Sequence, residues 1–273
     1  SGVLKFLKKL RGDKNKVTGG EKQMAILRQI PKVLKFIPGK AQDLRAYFLS
    51  MQYWLAGSEE NIESLFCYVL SRYSSLHNSS KVEIKSPVEY PETGLYHPDI
   101  PKKITENISE IPFAKHSIGT VGLLLMRSYV LSGDTAHYDQ VIRSLEAQGL
   151  KVIPAFAAGL DARPAIDKYF VQNAKASIDT FLSLTGFSLV GGPAYNSSKA
   201  AEEALAELDV PYIAAHAIEF QNLNQWDKSD GGLNPIETTI LVSLPELDGA
   251  TNPTVFGGRL GEEGGCSLSL IHI

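Results

Sequence analysis

The sequence predicts an α/β protein in which a helical N-terminal segment precedes a doubly wound, mostly parallel sheet of the Rossmann or flavodoxin-like type. Apolar residues recur at helical spacing over residues 21–75. From Thr120 onward, short apolar runs alternate with helical patterns, as in a parallel sheet with crossover helices. With 273 residues, of which 44% are hydrophobic, the chain is long enough for one large or two small domains.

Residues 1–76 are predicted to form the helical segment. Residues 21–37 have a helical pattern with a break near Pro31, because proline removes a backbone donor and clashes with the preceding turn. The next helix ends at Gly57, and Ser58 can cap the helix after it. Each of these two helices carries one apolar stripe, and the stripe of the second helix is expected to be its buried face. The stripes comprise Leu44, Tyr47, Phe48, Met51, Trp54 and Leu55, then Ile62, Leu65, Phe66, Val69, Leu70 and Tyr73.

An irregular linker is predicted over residues 77–119, where prolines are frequent and periodicity is lost. Residues 120–259 are predicted to form the α/β domain. Asn234-Pro235-Ile236-Glu237 is a strong helix start, with Asn as N-cap, Pro at the first position and Glu placed to reach back. The predicted strands are 121–126, 152–156, 188–190, 212–215 and 254–256, and the predicted helices are 138–145 (stopped by Gly149), 164–171 and 200–208.

Charge is distributed unevenly along the chain. Residues 1–50 contain twelve Lys and Arg against three Asp and Glu, whereas the remaining residues contain fifteen against twenty-seven. The basic residues are interleaved with an apolar helical period, which favours a solvated helix face or a partner-docking surface over nucleic-acid binding. The apolar run 121–126 is far shorter than the roughly 18 residues of a membrane span, and no secretory signal is visible. Two cysteines, Cys67 and Cys266, exclude a disulfide framework and indicate a reducing compartment.

Several common catalytic motifs are missing from the sequence. The chain lacks a Gly-x-x-x-x-Gly-Lys-Ser/Thr phosphate loop and a Gly-x-Gly-x-x-Gly dinucleotide motif. It also lacks His-Glu-x-x-His, Cys-x-x-Cys and the Gly-x-Ser-x-Gly elbow. No metal site and no phosphate-loop nucleotide site are therefore predicted, and any activity must use less common residues.

Four positions are candidate substrate-binding residues. Arg127 follows the first predicted strand, at the edge where open parallel sheets bind ligands. Asp134 lies at the start of the next helix, where it is either a helix cap or a ligand. Gly191 and Gly192 follow the third predicted strand, and form either a tight turn or a close approach of the backbone to a ligand.

Four further residues are candidates for proton transfer. His137 opens the helix that follows Asp134, and His97 lies in the irregular segment, where a structural role is the simpler alternative. Glu246 and Asp248 place two carboxylates after a helix, which fits either a surface turn or a pair that accepts protons or binds a hard cation.

The order of these segments resembles the family of the large H subunit of magnesium chelatase, which includes the cobaltochelatase large subunit. The resemblance covers about residues 1–259 and is closer to the magnesium branch, as found in oxygenic phototrophs. The matching stretches are IPKVLKFIP (30–38), DLRAYFLSMQYWLAGS (43–58), ETGLYHP (92–98), GDTAHYDQVIRSLEAQGLKVIPAFAAGLD (133–161), LTGFSLVGGPA (184–194), LDVPYIAA (208–215) and NPIETTILVSLPELDGATNPTVFGGR (234–259).

The resemblance implies a subunit that binds protoporphyrin IX and is the place where Mg²⁺ is inserted, in the first committed step towards chlorophyll. Mg²⁺ and protoporphyrin IX would then be substrates. ATP would be bound and hydrolysed by two partner chains, the AAA+ type I and D subunits, which agrees with the missing phosphate loop. The resemblance also implies a location in the cytoplasm of a cyanobacterium or in a chloroplast stroma.

The resemblance also limits what this chain is expected to do. It implies that residues 1–76 end the family's N-terminal domain and that 120–259 begin the chelatase core. Residues 260–273 look like read-through sequence outside the family, so Cys266 and His272 are left out of the functional interpretation. Because the family's chelation residues lie further downstream, the chain alone is expected to be inactive.

Two alternatives remain open at this stage. One is a non-catalytic module of a cobaltochelatase-type or other tetrapyrrole-binding protein, which docks partners or gates substrate entry. The other is a free-standing binder of small molecules of the periplasmic type, which would require an export signal and would leave the ordered matches unexplained.

Overall fold

The computed structural model describes residues 30–74, 84–191, 197–251, 253–260 and 268–270. The chain divides into two compact units, residues 1–90 and residues 91–273. The predicted linker therefore lies mostly within the second unit. Among the described residues, no helix is both long and apolar enough to cross a membrane.

The first unit is helical where it is described. Residues 30–34 are helical, and two longer helices follow, α1 (Ala41–Ala56) and α2 (Glu59–Tyr73). Gly57 ends α1 with a φ of 66°, a conformation that glycine adopts without strain. The side chain of Ser58 accepts a hydrogen bond from the Asn61 backbone N–H, so it caps α2 as predicted. The predicted helical residues 21–29 lie outside the described part of the chain.

The large apolar residues of α1 and α2 are mostly exposed, which corrects the prediction that the α2 stripe is buried. Trp54 is 64% exposed and Phe66 is 62% exposed. The two helices instead bury Ala46, Tyr53, Asn61 and Ser64.

The reason lies in segment 84–90, which packs on the polar side of the two helices. Asn61 Oδ1 accepts from the Val88 N–H and Asn61 Nδ2 donates to the Val88 carbonyl. The Tyr53 hydroxyl donates to the Lys85 carbonyl at 2.6 Å. These bonds satisfy buried polar groups, so the face that holds them is the covered one.

An eight-stranded sheet forms the centre of the second unit. The strands are β1 (Thr93–Tyr96), β2 (Ile104–Thr105), β3 (Gly119–Met126), β4 (Leu150–Ala157), β7 (Thr180–Ser183), β8 (Tyr212–Ile218), β9 (Thr254–Arg259) and β10 (Leu268–Leu270). Their spatial order is β10-β9-β8-β7-β3-β4-β1-β2. The five strands β9, β8, β7, β3 and β4 are parallel, and β1, β2 and β10 add antiparallel edges.

Helices cover both faces of this sheet, as predicted for a doubly wound fold. One face packs Leu123, Leu125, Tyr138 and Ile142 together, and the other packs Leu124, Phe170, Phe181 and Tyr212. The small hairpin β5 (Val171–Gln172) and β6 (Lys175–Ala176) lies in the crossover from β4 to β7. The helices are α3 (Arg127–Ser132), α4 (Ala136–Ala147), α5 (Arg163–Tyr169), α6 (Ser198–Leu208), α7 (Leu223–Asp227) and α8 (235–247). Within α8, Pro235–Glu237 and Leu244–Leu247 are α-helical and Thr238–Ser243 is π-helical. A 3₁₀ turn spans Ile108–Glu110.

Two predicted elements differ from the observed ones. The strands β1 and β2 lie in the segment that was predicted to be irregular. Pairing with the apolar strand β4 stabilises β1 although its own sequence shows no strand period. The predicted strand 188–190 makes only one bridge, between Val190 and Asp161, and the strand is instead β7. The Val190 N–H bonds the Ser188 hydroxyl, which competes with ladder pairing.

The order of the parallel strands places a topological switch point between β3 and β7. From β3 the chain first adds β4 on one side and then β7 on the other. In open α/β sheets, ligands bind in the crevice outside the carboxyl ends of the strands at such a point. The carboxyl ends of β3, β4, β7, β8 and β9, with the loops that follow them, are called the carboxyl edge below.

Candidate functional site

Arg127 lies at the carboxyl edge, beside the switch point. It is the first residue of α3, directly after the last residue of β3. Its Nε donates a hydrogen bond to the Pro91 carbonyl at 3.1 Å, which holds the half-buried side chain against the start of the second unit. Arg127 therefore lies at the edge where it was predicted, and its binding role stays a prediction.

Asp134 and His137 lie in the turn and first residues that lead into α4. The N-cap residue is Thr135, whose side chain makes no capping bond, so the structure shows no cap by Asp134. His137 is buried, and its ring lies 3.9 Å from the Tyr138 ring and 6.1 Å from the Phe256 ring. Burial lowers the pKa of His137 to about 4, so the imidazole is neutral at pH 7.

Tyr129 links this region to the end of β8. Its ring packs edge-on against the His137 ring at 5.5 Å. Burial, and then a hydrogen bond to Glu219, raise the pKa of the Tyr129 hydroxyl, with a smaller contribution from Asp134. The start of α3, the start of α4 and the residue after β8 therefore meet on one side of the carboxyl edge.

Gly191 lies on the other face of the sheet. Its φ of 112° is open to glycine, and its N–H donates to the Leu160 carbonyl at 2.7 Å, in the loop after β4. The turn is thus tied to the carboxyl edge. Gly192 lies outside the described residues.

Glu246 and Asp248 do not form a pair. Glu246 is exposed, whereas Asp248 is buried and its Oδ2 accepts a hydrogen bond from the Leu189 N–H at 2.8 Å. Burial raises the pKa of Asp248 against opposing hydrogen bonds from Leu189 and Ser188. Asp248 therefore holds the segment that leads to Gly191, and the two carboxylates share no ligand position.

His97 lies at the opposite edge of the sheet. It follows β1, which runs antiparallel to β4 and so ends near the amino ends of the parallel strands. Its Nε2 is 3.1 Å from Glu146 Oε1, and its Nδ1 accepts from the Asp99 N–H at 3.2 Å. With both ring nitrogens bonded, His97 has a structural role and does not join the other candidates.

Sequence reasoning missed two buried residues near the carboxyl edge. His216 lies in β8 with both ring nitrogens unbonded among the described residues, and burial lowers its pKa to about 4. Glu237 is completely buried and accepts bonds from the Phe220 and Gln221 N–H groups, which anchors α8 to the end of β8. The signal for His216 was present, since a histidine interrupts the apolar strand YIAAHAI.

The described residues include no cluster of three His, Cys, Asp or Glu side chains able to hold a metal ion. What the described edge offers is an arginine, two carboxylates (Asp134 and Glu219), exposed apolar side chains and backbone turns. Leu160, after β4, is 50% exposed and Phe220, after β8, is 59% exposed. Such a surface suits an organic ligand that is mainly apolar, with Arg127 as the position for a negatively charged group of it.

Comparisons with known proteins identify the family. A sequence profile described as CobN/Magnesium Chelatase matches residues 51–269, and one described as Domain of unknown function (DUF3479) matches residues 1–48. The first match extends past residue 259, where the sequence analysis placed the end of the resemblance.

Among curated relatives, the chain is 59% identical to the magnesium-chelatase H subunit of Cereibacter sphaeroides, over 98% of this chain and 23% of that protein. It is 37% identical to the chloroplastic magnesium-chelatase protein ChlH of Oryza sativa, over 93% of the chain and 19% of that protein. Identity to the aerobic cobaltochelatase protein CobN of Pseudomonas aeruginosa is 27%, over 64% of the chain and 13% of that protein.

A solved structure shares the fold. The catalytic subunit of cobaltochelatase from Mycobacterium tuberculosis superposes with a TM-score of 0.57 at 21% identity, over 83% of this chain and 18% of that one. The chain thus spans less than a quarter of the length of these relatives. The profile match and the identity to the magnesium enzymes together show that this chain belongs to the CobN/magnesium chelatase family.

Proposed function

We propose that this chain is part of the porphyrin-binding subunit of a magnesium chelatase, a ligase that inserts Mg²⁺ into protoporphyrin IX. The observation that carries the proposal is the 59% identity to a magnesium-chelatase H subunit over nearly the whole chain. In keeping with the resemblance, we propose that AAA+ partner subunits of the I and D types bind and hydrolyse ATP; the present sequence contains no phosphate loop.

The carboxyl edge is the part of the chain that we assign to the tetrapyrrole. Protoporphyrin IX is flat and apolar, with two propionates on one side. Leu160 and Phe220 provide exposed apolar contacts there, and Arg127 provides a cation for a propionate. A charge-assisted hydrogen bond of this kind contributes about 1.5–3 kcal/mol.

The described residues fit binding better than proton transfer. Chelation requires the loss of two pyrrole protons, which needs accessible bases with suitable pKa values. His137 is buried with a pKa lowered to about 4, and His97 has both nitrogens bonded. Asp248 is buried and bonded to the Leu189 N–H. The chain alone should therefore bind substrate weakly and should not insert Mg²⁺.

The test uses a full-length hybrid in which this chain replaces the matching segment of the Cereibacter sphaeroides relative. Protoporphyrin IX is titrated against the hybrid while tryptophan quenching is followed, and metallation is assayed with the partner subunits and ATP. Arg127→Ala should weaken binding by about 10- to 150-fold, the range that 1.5–3 kcal/mol corresponds to.

Arg143→Ala is the matched control. Arg143 forms an exposed ion pair with Asp99 at 2.7 Å, near His97 at the opposite edge. This variant should leave the affinity unchanged. A hybrid that binds no protoporphyrin IX would contradict the proposal, and equal losses in both variants would contradict the assignment to the carboxyl edge.

A second candidate function is docking of a partner subunit, without contact to substrate. The observation that favours it is the exposed apolar face of α1 and α2, which includes Trp54, Phe66 and Leu70. Phe66 and Leu70 are four residues apart on α2 and therefore share one face of the helix, and exposed apolar patches mark interaction sites. In the hybrid, Trp54→Ser with Leu70→Ser should then abolish capture of the I and D subunits and leave the affinity for protoporphyrin IX intact.

The compartment follows the relatives. The rice relative is described as chloroplastic, whereas the higher identity is to the protein of a bacterium. We therefore assign the chain to a bacterial cytoplasm.

A further inference from the structure

The first unit contains a pocket that the proposed function does not use. Its volume is about 290 Å³, and its walls come from residues 31–35, from α1 and from the segment 84–90. All of these residues belong to the unit 1–90, whereas the carboxyl edge belongs to the unit 91–273. Pockets for drug-sized ligands have volumes of about 300–1,000 Å³, so this pocket fits a small molecule.

The pocket has an excess of positive charge. Its charged lining residues are three cations, Lys32, Lys35 and Arg45, and one anion, Glu89. None of the four forms an ion pair within the described part of the chain. Three positive charges and one negative charge leave two positive charges in excess. An anion at this position would neutralise that excess.

One backbone carbonyl brings the cations together. The Pro31 carbonyl accepts a hydrogen bond from the Lys35 N–H at 3.2 Å and another from Arg45 Nε at 3.2 Å. The second bond fixes the half-buried Arg45 beside the helical turn that carries both lysines. Its two Nη groups donate no bond to the described residues, so this end of the guanidinium can still receive a ligand.

The charge and the walls narrow the class of ligand. A phosphate monoester carries a charge of about −1.5 to −2 at pH 7 and has three acceptor oxygens, which matches the excess charge of the pocket. A guanidinium bonds two phosphate oxygens at once, and lysines add charge. A monocarboxylate would neutralise only one of the two positive charges. Leu49 and Pro87 add half-buried apolar wall, which inorganic phosphate cannot use but an organic group can.

We propose that this pocket binds a small organic phosphate. Its phosphoryl group accepts hydrogen bonds from Lys32, Lys35 and Arg45, and its organic group packs against Leu49 and Pro87. Binding is non-covalent, and it is independent of the proposed function because no tetrapyrrole takes part in it.

The test is isothermal titration calorimetry of the full-length hybrid with three probes. Phenyl phosphate has both the phosphoryl group and an apolar body, benzoate has the body with one negative charge, and inorganic phosphate has no body. We expect phenyl phosphate to bind about tenfold more tightly than either of the others. Equal affinity for benzoate would overturn the phosphoryl assignment, and equal affinity for inorganic phosphate would overturn the role of the apolar wall.

Variants of the cations locate the binding in this pocket. Lys32→Gln with Lys35→Gln should weaken phenyl phosphate binding by about tenfold, and so should Arg45→Lys, which keeps the charge but loses the planar fork. Lys40→Gln is the matched control, because it removes an exposed lysine of the same unit that does not line the pocket. Equal losses in the control would contradict a specific site. Urea unfolding verifies that each variant is folded.

The sign of the change at Glu89 gives an independent check. Glu89→Gln removes the one negative charge of the lining, so it should tighten phenyl phosphate binding by about three- to fivefold, and weaker binding would contradict the proposal. All of these variants should keep the affinity for protoporphyrin IX. A hybrid that binds protoporphyrin IX but not phenyl phosphate overturns this inference and leaves the proposed function standing, and the reverse result overturns the proposed function alone.

Discussion

The two buried histidines at the carboxyl edge predict a loss of stability in mild acid. Burial lowers the pKa values of both His137 and His216 to about 4, whereas an unfolded chain has histidines near 6.5. Between these values the unfolded chain binds more protons than the folded one. The stability that these two neutral histidines contribute is therefore fully present above about pH 6.5 and falls as the pH is lowered towards 4.

The size of this effect follows from the two pKa values. A difference of about 2.5 between folded and unfolded chain corresponds to roughly 3.4 kcal/mol per histidine, at about 1.36 kcal/mol per pKa unit. Between pH 7 and pH 5 the loss is about 2 kcal/mol for each histidine. Urea unfolding of the chain at the two pH values, followed by circular dichroism, measures it.

His216→Leu and His137→Leu should each remove about 2 kcal/mol of the pH dependence. His216→Leu should be at least as stable as the unchanged chain at pH 7, because it removes two unbonded polar atoms. His116→Gln, at an exposed position, is the control and should leave the curve unchanged. If the unchanged chain and both leucine variants lose equal stability between pH 7 and 5, the burial argument is wrong.

Three further predictions concern groups that hold the sheet and the carboxyl edge together. Gly94→Ala should destabilise the chain by about 1–3 kcal/mol, because its Cβ would lie 2.5 Å from Phe156 Cζ; urea unfolding measures the loss, and a change near zero would refute the close packing. Glu237→Ala should cost about 2–4 kcal/mol by leaving buried donors unbonded, with Glu237→Gln less severe in the same assay. Asp248→Asn should match the unchanged chain near pH 3.

Because Asp248→Asn lacks the decline in stability that the raised pKa of Asp248 produces as the pH rises above about 3.9, it should be the more stable of the two at pH 7; a series of unfolding curves from pH 3 to 7 measures the difference.

The sequence was most informative where local chemistry alone decides the structure. Ser58 caps α2 and Asn234 caps α8, both as predicted. Gly149, with a φ of 79°, lies two residues after the end of α4, where glycine was predicted to stop the helix. The Glu237 side chain differs in detail, since it bonds the Asn234 amide at 2.7 Å and the backbone after β8 instead of its own N-cap backbone. A partner that lies far along the chain cannot be inferred from spacing.

The sequence was less informative where tertiary pairing decides. The strand β1 forms because β4 has a free edge, and no period in Thr93–Tyr96 signals it. The stripe on α2 has regular helical spacing, yet Phe66 and Leu70 are exposed, because periodicity shows which residues share a face but not which face is covered.

For the site residues too, the sequence indicated positions that local order along the chain decides, but not those that packing decides. Arg127 could be placed at the carboxyl edge because it follows a strand of a parallel sheet, and Asp134 because it leads into the next helix. Gly191 lies at this edge although the strand predicted before it makes only one bridge. The binding role of all three stays a prediction. The separation of Glu246 from Asp248 depends on side-chain direction at the end of α8, which residue spacing in a loop does not determine. The lack of partners at His216 depends on packing across β7, β8 and α8.

Hydrogen–deuterium exchange of the full-length hybrid, with and without protoporphyrin IX, tests most directly the claim that the carboxyl edge of this sheet binds the tetrapyrrole. The account predicts slower amide exchange on binding in residues 126–128, 184–191 and 219–221, and no change in residues 97–105 at the opposite edge. Protection confined to residues 97–105, or to the helices α1 and α2, would contradict it.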